Sequence, residues 1–297
     1  MEDLINAWAA RGRMIETRDG RVFVVDTGGA GAGGEGAGAA TPVLVLHGFP
    51  TSSFDFRAAL PHLGLRRVVL FDFLGYGLSD KPVDFGYSLF EQADLAQAVA
   101  RACGLTRVHL WAHDVGTSVA TELLARRERG QLPLAIESVT LMNGSVHIEL
   151  SRLTPSQRLL RTPLGPLFAR LSGRALFKLQ LRRVFAVQPP EAELDALWEL
   201  ICRQDGRARL PALIGYVSER ARFARRWIGA LERLDLPAHV AWGLRDPVAV
   251  PAIADRLAAE IPGARRTSWA DLGHYPQLED PRRVAEAVAG FWETIAA

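Results

Sequence analysis

A buried strand that breaks on an aspartate and turns straight into a helix is the feature that most limits how this chain can fold. Arg107 to Ala112 is short, apolar and β-branched enough to be a strand. Val115 to Arg126 places Val115, Val119, Leu123 and Arg126 at helical spacing. Between them lies Ala112-His113-Asp114-Val115-Gly116, small residues flanking Asp114 at two positions on either side. The need is steric, because a side chain on so sharp a turn has a strained backbone and tolerates only small neighbours there. The turn aims Asp114 out over the end of the sheet. The amide of Val115 faces the same space and can bind developing negative charge. Asp114 suits a helix N-cap equally well, and these residues alone leave both roles open.

Length and composition narrow the remainder. A chain of 297 residues can bury a full core as one large α/β domain with an insertion, or as two domains. Hydrophobic residues at 48% and charged residues at 23% are ordinary for a globular protein, and a net charge of +2 gives no general attraction for nucleic acid. Cys103 and Cys202 are far apart in sequence. That speaks against a disulfide framework or a zinc site and fits a reducing compartment. No apolar run approaches the roughly 20 residues of a membrane helix. Met1 to Arg13 lacks a basic-then-apolar leader pattern. The expectation is a cytoplasmic monomer or homodimer with a small-molecule substrate. No cofactor, metal, nucleic acid or membrane span is expected.

Taken in order, Asn6 to Arg11 reads as a short helix and Arg21 to Thr27 as a strand. Gly28 to Ala40 is glycine-rich, with too little side chain to pack, and reads as a mobile connection. Val43 to Leu46 is a buried strand stopping at His47-Gly48-Phe49-Pro50. In that turn the amide of Phe49 is the second candidate donor, beside Val115, for an oxyanion. Val68 to Phe71 is another strand, and Ser88 with Glu91 forms a capping box opening a helix to about Cys103. Ile136 to Met142 is a strand ending at Asn143-Gly144. From Ser145 to Trp227 the patterns are helical, broken by prolines, with 15 Lys and Arg against 7 Asp and Glu. The rest of the chain has 20 against 26. A basic helical insertion on an acidic body reads as a cap, giving core segments 1–144 and 228–297 and a cap at 145–227. Its arginines suit either a solvated face or attraction of an anionic substrate or acidic surface. Alternation then resumes with strands at Ala238 to Trp242 and Ala264 to Trp269, and helices at Pro251 to Ile261 and Pro281 to Ile295.

Strands alternating with helices imply a mostly parallel sheet with its ligand site at the carboxyl ends of the strands. Asp114, Asp246 and His274 each follow an apolar strand, in the order nucleophile, acid, base. That placement favours the nucleophile over the N-cap for Asp114. A carboxylate is ionised at neutral pH, so it needs no base to attack an sp³ carbon and form an ester. His274 then takes a proton from the water that hydrolyses the ester, and Asp246 orients His274. The amides of Phe49 and Val115 would hold the tetrahedral oxyanion.

With these residues placed, the sequence resembles the α/β-hydrolase superfamily in its epoxide hydrolase and haloalkane dehalogenase branch. Within that branch it is most similar to the mesoderm-specific transcript protein group. The resemblance rests on D-F-L-G-Y-G-L-S-D-K-P (72–82), Y-S-L-F-E-Q-A (87–93), H-D-V-G-T-S-V-A-T-E-L-L (113–124), R-R-W-I-G-A-L (225–231) and G-H-Y-P-Q-L-E-D-P (273–281). It implies an α/β-hydrolase fold and a hydrolase with an aspartate nucleophile. Two departures bear on substrate. Members of this branch usually carry Trp after the nucleophile, where this chain has Val115, and haloalkane dehalogenases usually carry Asn where it has Phe49. Both usual halide donors are therefore missing. Fluoroacetate dehalogenases carry Arg after the nucleophile, which Val115 does not supply. Epoxide hydrolases use cap tyrosines as proton donors, and Tyr216 is the cap's one tyrosine. Epoxide hydrolysis thus ranks above haloalkane or haloacid dehalogenation. A non-catalytic binding protein is the alternative of another class, against which the intact Asp114, Asp246 and His274 set argues. Tyr216, His47 and Asn143 are candidate substrate contacts. His47 also suits a purely structural place in its turn, and Asn143 a strand-end hydrogen bond.

Overall fold

The computed structural model describes residues 2–28 and 40–296. The connection read as mobile, Gly28 to Ala40, falls for residues 29–39 outside the described residues. Eight strands form one sheet in the order β1-β2-β4-β3-β5-β6-β7-β8. The strands β3 (Val43–Leu46), β4 (Val68–Phe71), β5 (Arg107–His113), β6 (Ala135–Met142), β7 (Ala238–Gly243) and β8 (Arg265–Trp269) run parallel. At the edge, β1 (Arg13–Thr17) and β2 (Gly20–Asp26) form an antiparallel hairpin, with β2 also antiparallel to β4. Sequence patterning misses β1 because Ile15 is its one buried residue, which leaves no alternation to detect.

The continuous apolar runs of the central strands follow from burial on both faces. Successive side chains point to opposite sides. Leu44, Leu46, Leu110 and Ala112 pack in a core with α2 (Leu89–Ala102) and α3 (Val115–Glu128). Val43, Val45 and Trp111 pack in a second core with Trp8 of α1 (Glu2–Ala9) and Trp292 near the C-terminus. At about 1.5–3 kcal/mol for each large apolar side chain fully buried, these two layers supply most of the driving force. The capping box of α2 forms as its sequence dictates, with the Glu91 amide donating to Ser88 Oγ at 3.1 Å and the Ser88 amide to Glu91 Oε2 at 2.9 Å. The helix expected at Asn6 to Arg11 starts earlier, at Glu2, so that Ile5 and Trp8 share its buried face.

Between β6 and β7 the described chain contains helices joined by loops, with no strand. It comprises α4 (Pro155–Leu160), α5 (Gly165–Leu171), α6 (Arg174–Arg182), α7 (Glu191–Cys202), α8 (Leu210–Leu213), α9 (Tyr216–Arg222) and α10 (Ala224–Glu232). The last of these runs past Trp227, because Trp227, Ala230 and Leu231 form one buried stripe. Three helices complete the chain, α11 (Pro251–Glu260), α12 (Pro276–Glu279) and α13 (Pro281–Ala296). Strand β3 has β4 on one side and β5 on the other, so the connections leave it in opposite directions. The crevice at such a switch point lies at the carboxyl ends of the strands. The turns after β3, β5, β6, β7 and β8 all open there. No described helix is long and apolar enough to cross a membrane.

Candidate active site

Asp114 follows β5 with φ 47° and ψ −113°, a conformation that costs a non-glycine residue energy. Its neighbours enforce it. A Cβ on Gly116 would lie 2.2 Å from the Leu46 carbonyl oxygen, and one on Gly144 would lie 2.4 Å from Asp114 Cα. The backbones of β3, β5 and β6 therefore meet around Asp114 at distances only glycine allows. The Asp114 side chain makes no capping hydrogen bond to α3, so the N-cap alternative is not realised. Its Oδ2 instead accepts the Phe49 amide at 2.9 Å, across from the end of β3. The Val115 amide opens α3, where N–H groups have no partner within the helix.

The other two strand-end residues form a buried pair. His274 Nδ1 donates to Asp246 Oδ2 at 2.7 Å. Burial lowers the affinity of His274 for a proton, but the charge and hydrogen bond of Asp246 and the charge of Asp114 outweigh it and raise its pKa to about 9. Asp246 Oδ1 accepts the amides of Val248 and Ala249 at 2.7 and 2.9 Å. The His274 backbone is held on both sides. Its amide donates to Val184 O at 2.9 Å, and its carbonyl accepts His113 Nε2–H at 2.7 Å. His113 therefore points into the fold and holds the His274 backbone from behind. Glu279 gathers the surrounding loop, since its Oε2 accepts the amides of Gly273, Ala186 and Val187, each at 2.9 Å.

Two of the expected substrate contacts, His47 and Asn143, have polar atoms engaged within the protein. The His47 ring is spent on its own turn, with Nδ1 on Gly48 O and the Phe73 amide on Nε2, both at 2.9 Å. Asn143 donates to Asp246 Oδ2 at 2.8 Å, and its Oδ1 accepts the Gly243 amide at 2.9 Å. It holds the Asp246 carboxylate and has no polar atom left for a ligand on that oxygen's side. The third, Tyr216, is buried with its ring 5.8 Å from Phe49. Burial, and then the charge of Asp114, hold its hydroxyl neutral well above the ordinary tyrosine range. Gln157 donates to that hydroxyl at 3.5 Å.

Arg220 escapes sequence reading altogether. It is 4% exposed, and its Nη2 sits 3.2 Å from Asp114 O and 3.9 Å from Asp114 Oδ1. Its Nε donates to Ser118 Oγ at 2.8 Å, and its guanidinium lies 4.5 Å from the centre of the Tyr216 ring. One turn further along α3, Glu122 accepts both Arg226 and the Trp227 indole. Thus α3 presents a polar row, Asp114, Ser118 and Glu122, at the four-residue spacing that places side chains on one helix face. The insertion grips that row. Nothing in sequence separates Arg220 from the 13 other arginines between Ser145 and Trp227.

Beside the pair lies a mainly apolar cavity, open to solvent. Phe49, His274 and Tyr275 line it from the sheet side, and Phe168, Leu181 and Trp198 from the insertion. Arg207 is the one arginine along it, so the arginines as a group do not line the entrance. Among the described residues no three His, Cys, Asp or Glu side chains are grouped to hold a metal.

Comparison with known proteins shows the same fold. The family model described as alpha/beta hydrolase fold matches residues 41–281. The chain is 44% identical to "Putative hydrolase LipZ" of Mycobacterium tuberculosis, covering 95% of this chain and 96% of that protein. It is 37% identical to the mesoderm-specific transcript homolog protein of Homo sapiens, over 97% of this chain and 87% of that one. The solved haloalkane dehalogenase DbeA from Bradyrhizobium elkani superposes with a TM-score of 0.79 at 24% identity, over 96% of this chain and 98% of that chain. On the family match, the sheet order and the strand-end side chains together, the chain belongs to the alpha/beta hydrolase fold family.

Proposed function

We propose that this hydrolase works through Asp114 as nucleophile, forming a covalent alkyl-enzyme ester, with an epoxide as its substrate class. The observation that carries this reading is the Phe49 amide on Asp114 Oδ2. It leaves Oδ1 to attack carbon and holds Oδ2 where negative charge develops when the ester is hydrolysed. In the first step Oδ1 bonds to a ring carbon, the ring C–O bond breaks, and the alkoxide takes a proton from Tyr216. In the second step His274 takes a proton from water and the hydroxide attacks Asp114 Cγ. The amides of Phe49 and Val115 hold the oxyanion. Its collapse breaks the Cγ–Oδ1 bond, the departing alkoxide takes the proton from His274 to give the diol, and the water oxygen stays on Asp114, whose remaining proton returns to Tyr216. The helical run 145–227 acts as a cap over a body made of 1–144 and 228–297. A cavity lined from both parts supports that division. Cys103 and Cys202 are free thiols, in keeping with a cytoplasmic setting.

Arg220 favours dehalogenation as the second reading. Ester formation moves the negative charge of Asp114 onto the leaving group, and a buried cation beside Oδ1 is left to be balanced by a departing anion. Relatives of the chain include haloalkane dehalogenases.

Replacing His274→Gln separates the two. The variant retains the nucleophile but cannot activate water, so the ester accumulates. Intact-protein mass spectrometry after incubation with a panel of epoxides is expected to show addition of the whole epoxide at Asp114. Addition of an alkyl or carboxyalkyl group from a haloalkane or haloacid panel, with halide released, establishes the second reading. Label on a serine, or none with either panel, contradicts the aspartyl-ester mechanism.

A further inference from the structure

Six of the nine exposed large apolar residues among the described residues fall between positions 164 and 187. Leu164, just before α5, and Leu167 and Leu171 on it share one face at helical spacing, opposite the buried Gly165 and Ala169. On α6, Leu176 and Leu179 do the same, and Val187 follows. Leu171 is 75% exposed and Leu167 56%. The sequence around them is one-sided in charge. From Leu150 to Pro190 there are eight Lys and Arg and no Asp or Glu. Arg174, Lys178 and Arg182 are paired with carboxylates of α7. Arg158, Arg161, Arg170 and Arg183 are exposed and have no carboxylate partner among the described residues. Contiguous exposed apolar surface marks an interaction site, and leucines flanked by arginines on short helices match a surface that is apolar beneath and anionic above.

We propose that the α5–α6 face docks on an anionic lipid surface and turns the cavity mouth toward the bilayer. The cavity continues this face, since Leu176 is both exposed and part of the cavity lining, with Phe168 and Phe177 beside it. An acidic protein would satisfy the arginines but leaves that continuity unexplained. A symmetric second copy would bring two cationic faces together, which like-charge repulsion disfavours.

Flotation of the full chain with vesicles tests this. It is expected to float with phosphatidylcholine vesicles containing phosphatidylglycerol, less so as salt screens the arginines, and not with phosphatidylcholine alone. Leu167→Glu with Leu171→Glu is expected to weaken binding at least about tenfold with the circular dichroism and melting temperature unchanged, because both side chains lie outside the core. Equal binding to both vesicle types, no binding to anionic vesicles, or flotation unaffected by the two substitutions overturns the proposal. So does a dimer in gel filtration that the same substitutions turn into a monomer.

Discussion

Asp114 and His274 share one charge balance. With Asp114 charged, His274 has a pKa raised to about 9, so at neutral pH it carries a proton and cannot take one from water. Forming an ester on Asp114 removes one of the charges that raise that value. In the proposed mechanism this makes His274 a better base at the step that needs one, although the charge and hydrogen bond of Asp246 remain. Asp114→Asn mimics the loss of charge. The account predicts that this variant lowers the His274 pKa, read by NMR titration of the imidazole. An unchanged value means that Asp114 does not tune the base. Arg220 belongs to this scale too. Its role depends on which charges surround it once folded, which no spacing rule encodes. His47 and Asn143 make the complementary point. Their positions at strand ends are legible in sequence, but the groups that consume their polar atoms come from distant turns.

The strand-turn-helix element tolerates little change. Gly116→Ala drives a methyl against the backbone oxygen of Leu46, which cannot rotate away. The expected cost is at least about 1–3 kcal/mol, the range for overpacking a tight site, seen as a lower midpoint in urea unfolding with an unchanged slope. A neutral Gly116→Ala contradicts the close approach of β3 to α3. Elements of this kind were the legible part of the fold. Strands β3 to β7 are mostly apolar runs, and α2 announces its start with Ser88 and Glu91, whereas β8 buries Trp269 alone. Asp114 and Asp246 could be read because each follows such a run, whereas the strand before His274 is charged and mostly exposed. What could not be read depended on tertiary contact. β1 buries a single side chain, α10 runs past its expected end along the Trp227 stripe, and Glu279 organises the His274 loop through amides of the distant 186–187 segment.

At the scale of the whole molecule, buried histidines set how stability responds to pH. Burial depresses His47 to about 3 and His109, His113 and His239 to about 4. Unfolded, each would bind a proton below about pH 6.5. The stability they contribute is therefore present above that value and is lost as pH falls through their folded values. His274 acts in the opposite sense. Its contribution is complete below about pH 6.5 and is lost as pH rises through about 9. The melting temperature is expected to peak near neutrality and to fall on both sides, more steeply in acid, where four groups take part. In His274→Gln the alkaline fall is expected to shrink while the acid limb stays. An alkaline limb identical in wild type and variant contradicts this assignment. The proposed mechanism requires the molecule to hold the Asp114 carboxylate where it is alkylated and then released by water. Single-turnover hydrolysis in heavy-oxygen water tests that claim most directly. Using the substrate that labels His274→Gln, wild-type protein is turned over once with enzyme in excess and digested, and the peptides are weighed. The account predicts that the heavy oxygen enters the Asp114 carboxyl group and is absent from the first product released. Heavy oxygen found in the first product, with the Asp114 peptide unchanged in mass, means that water attacks the substrate directly and that no ester forms.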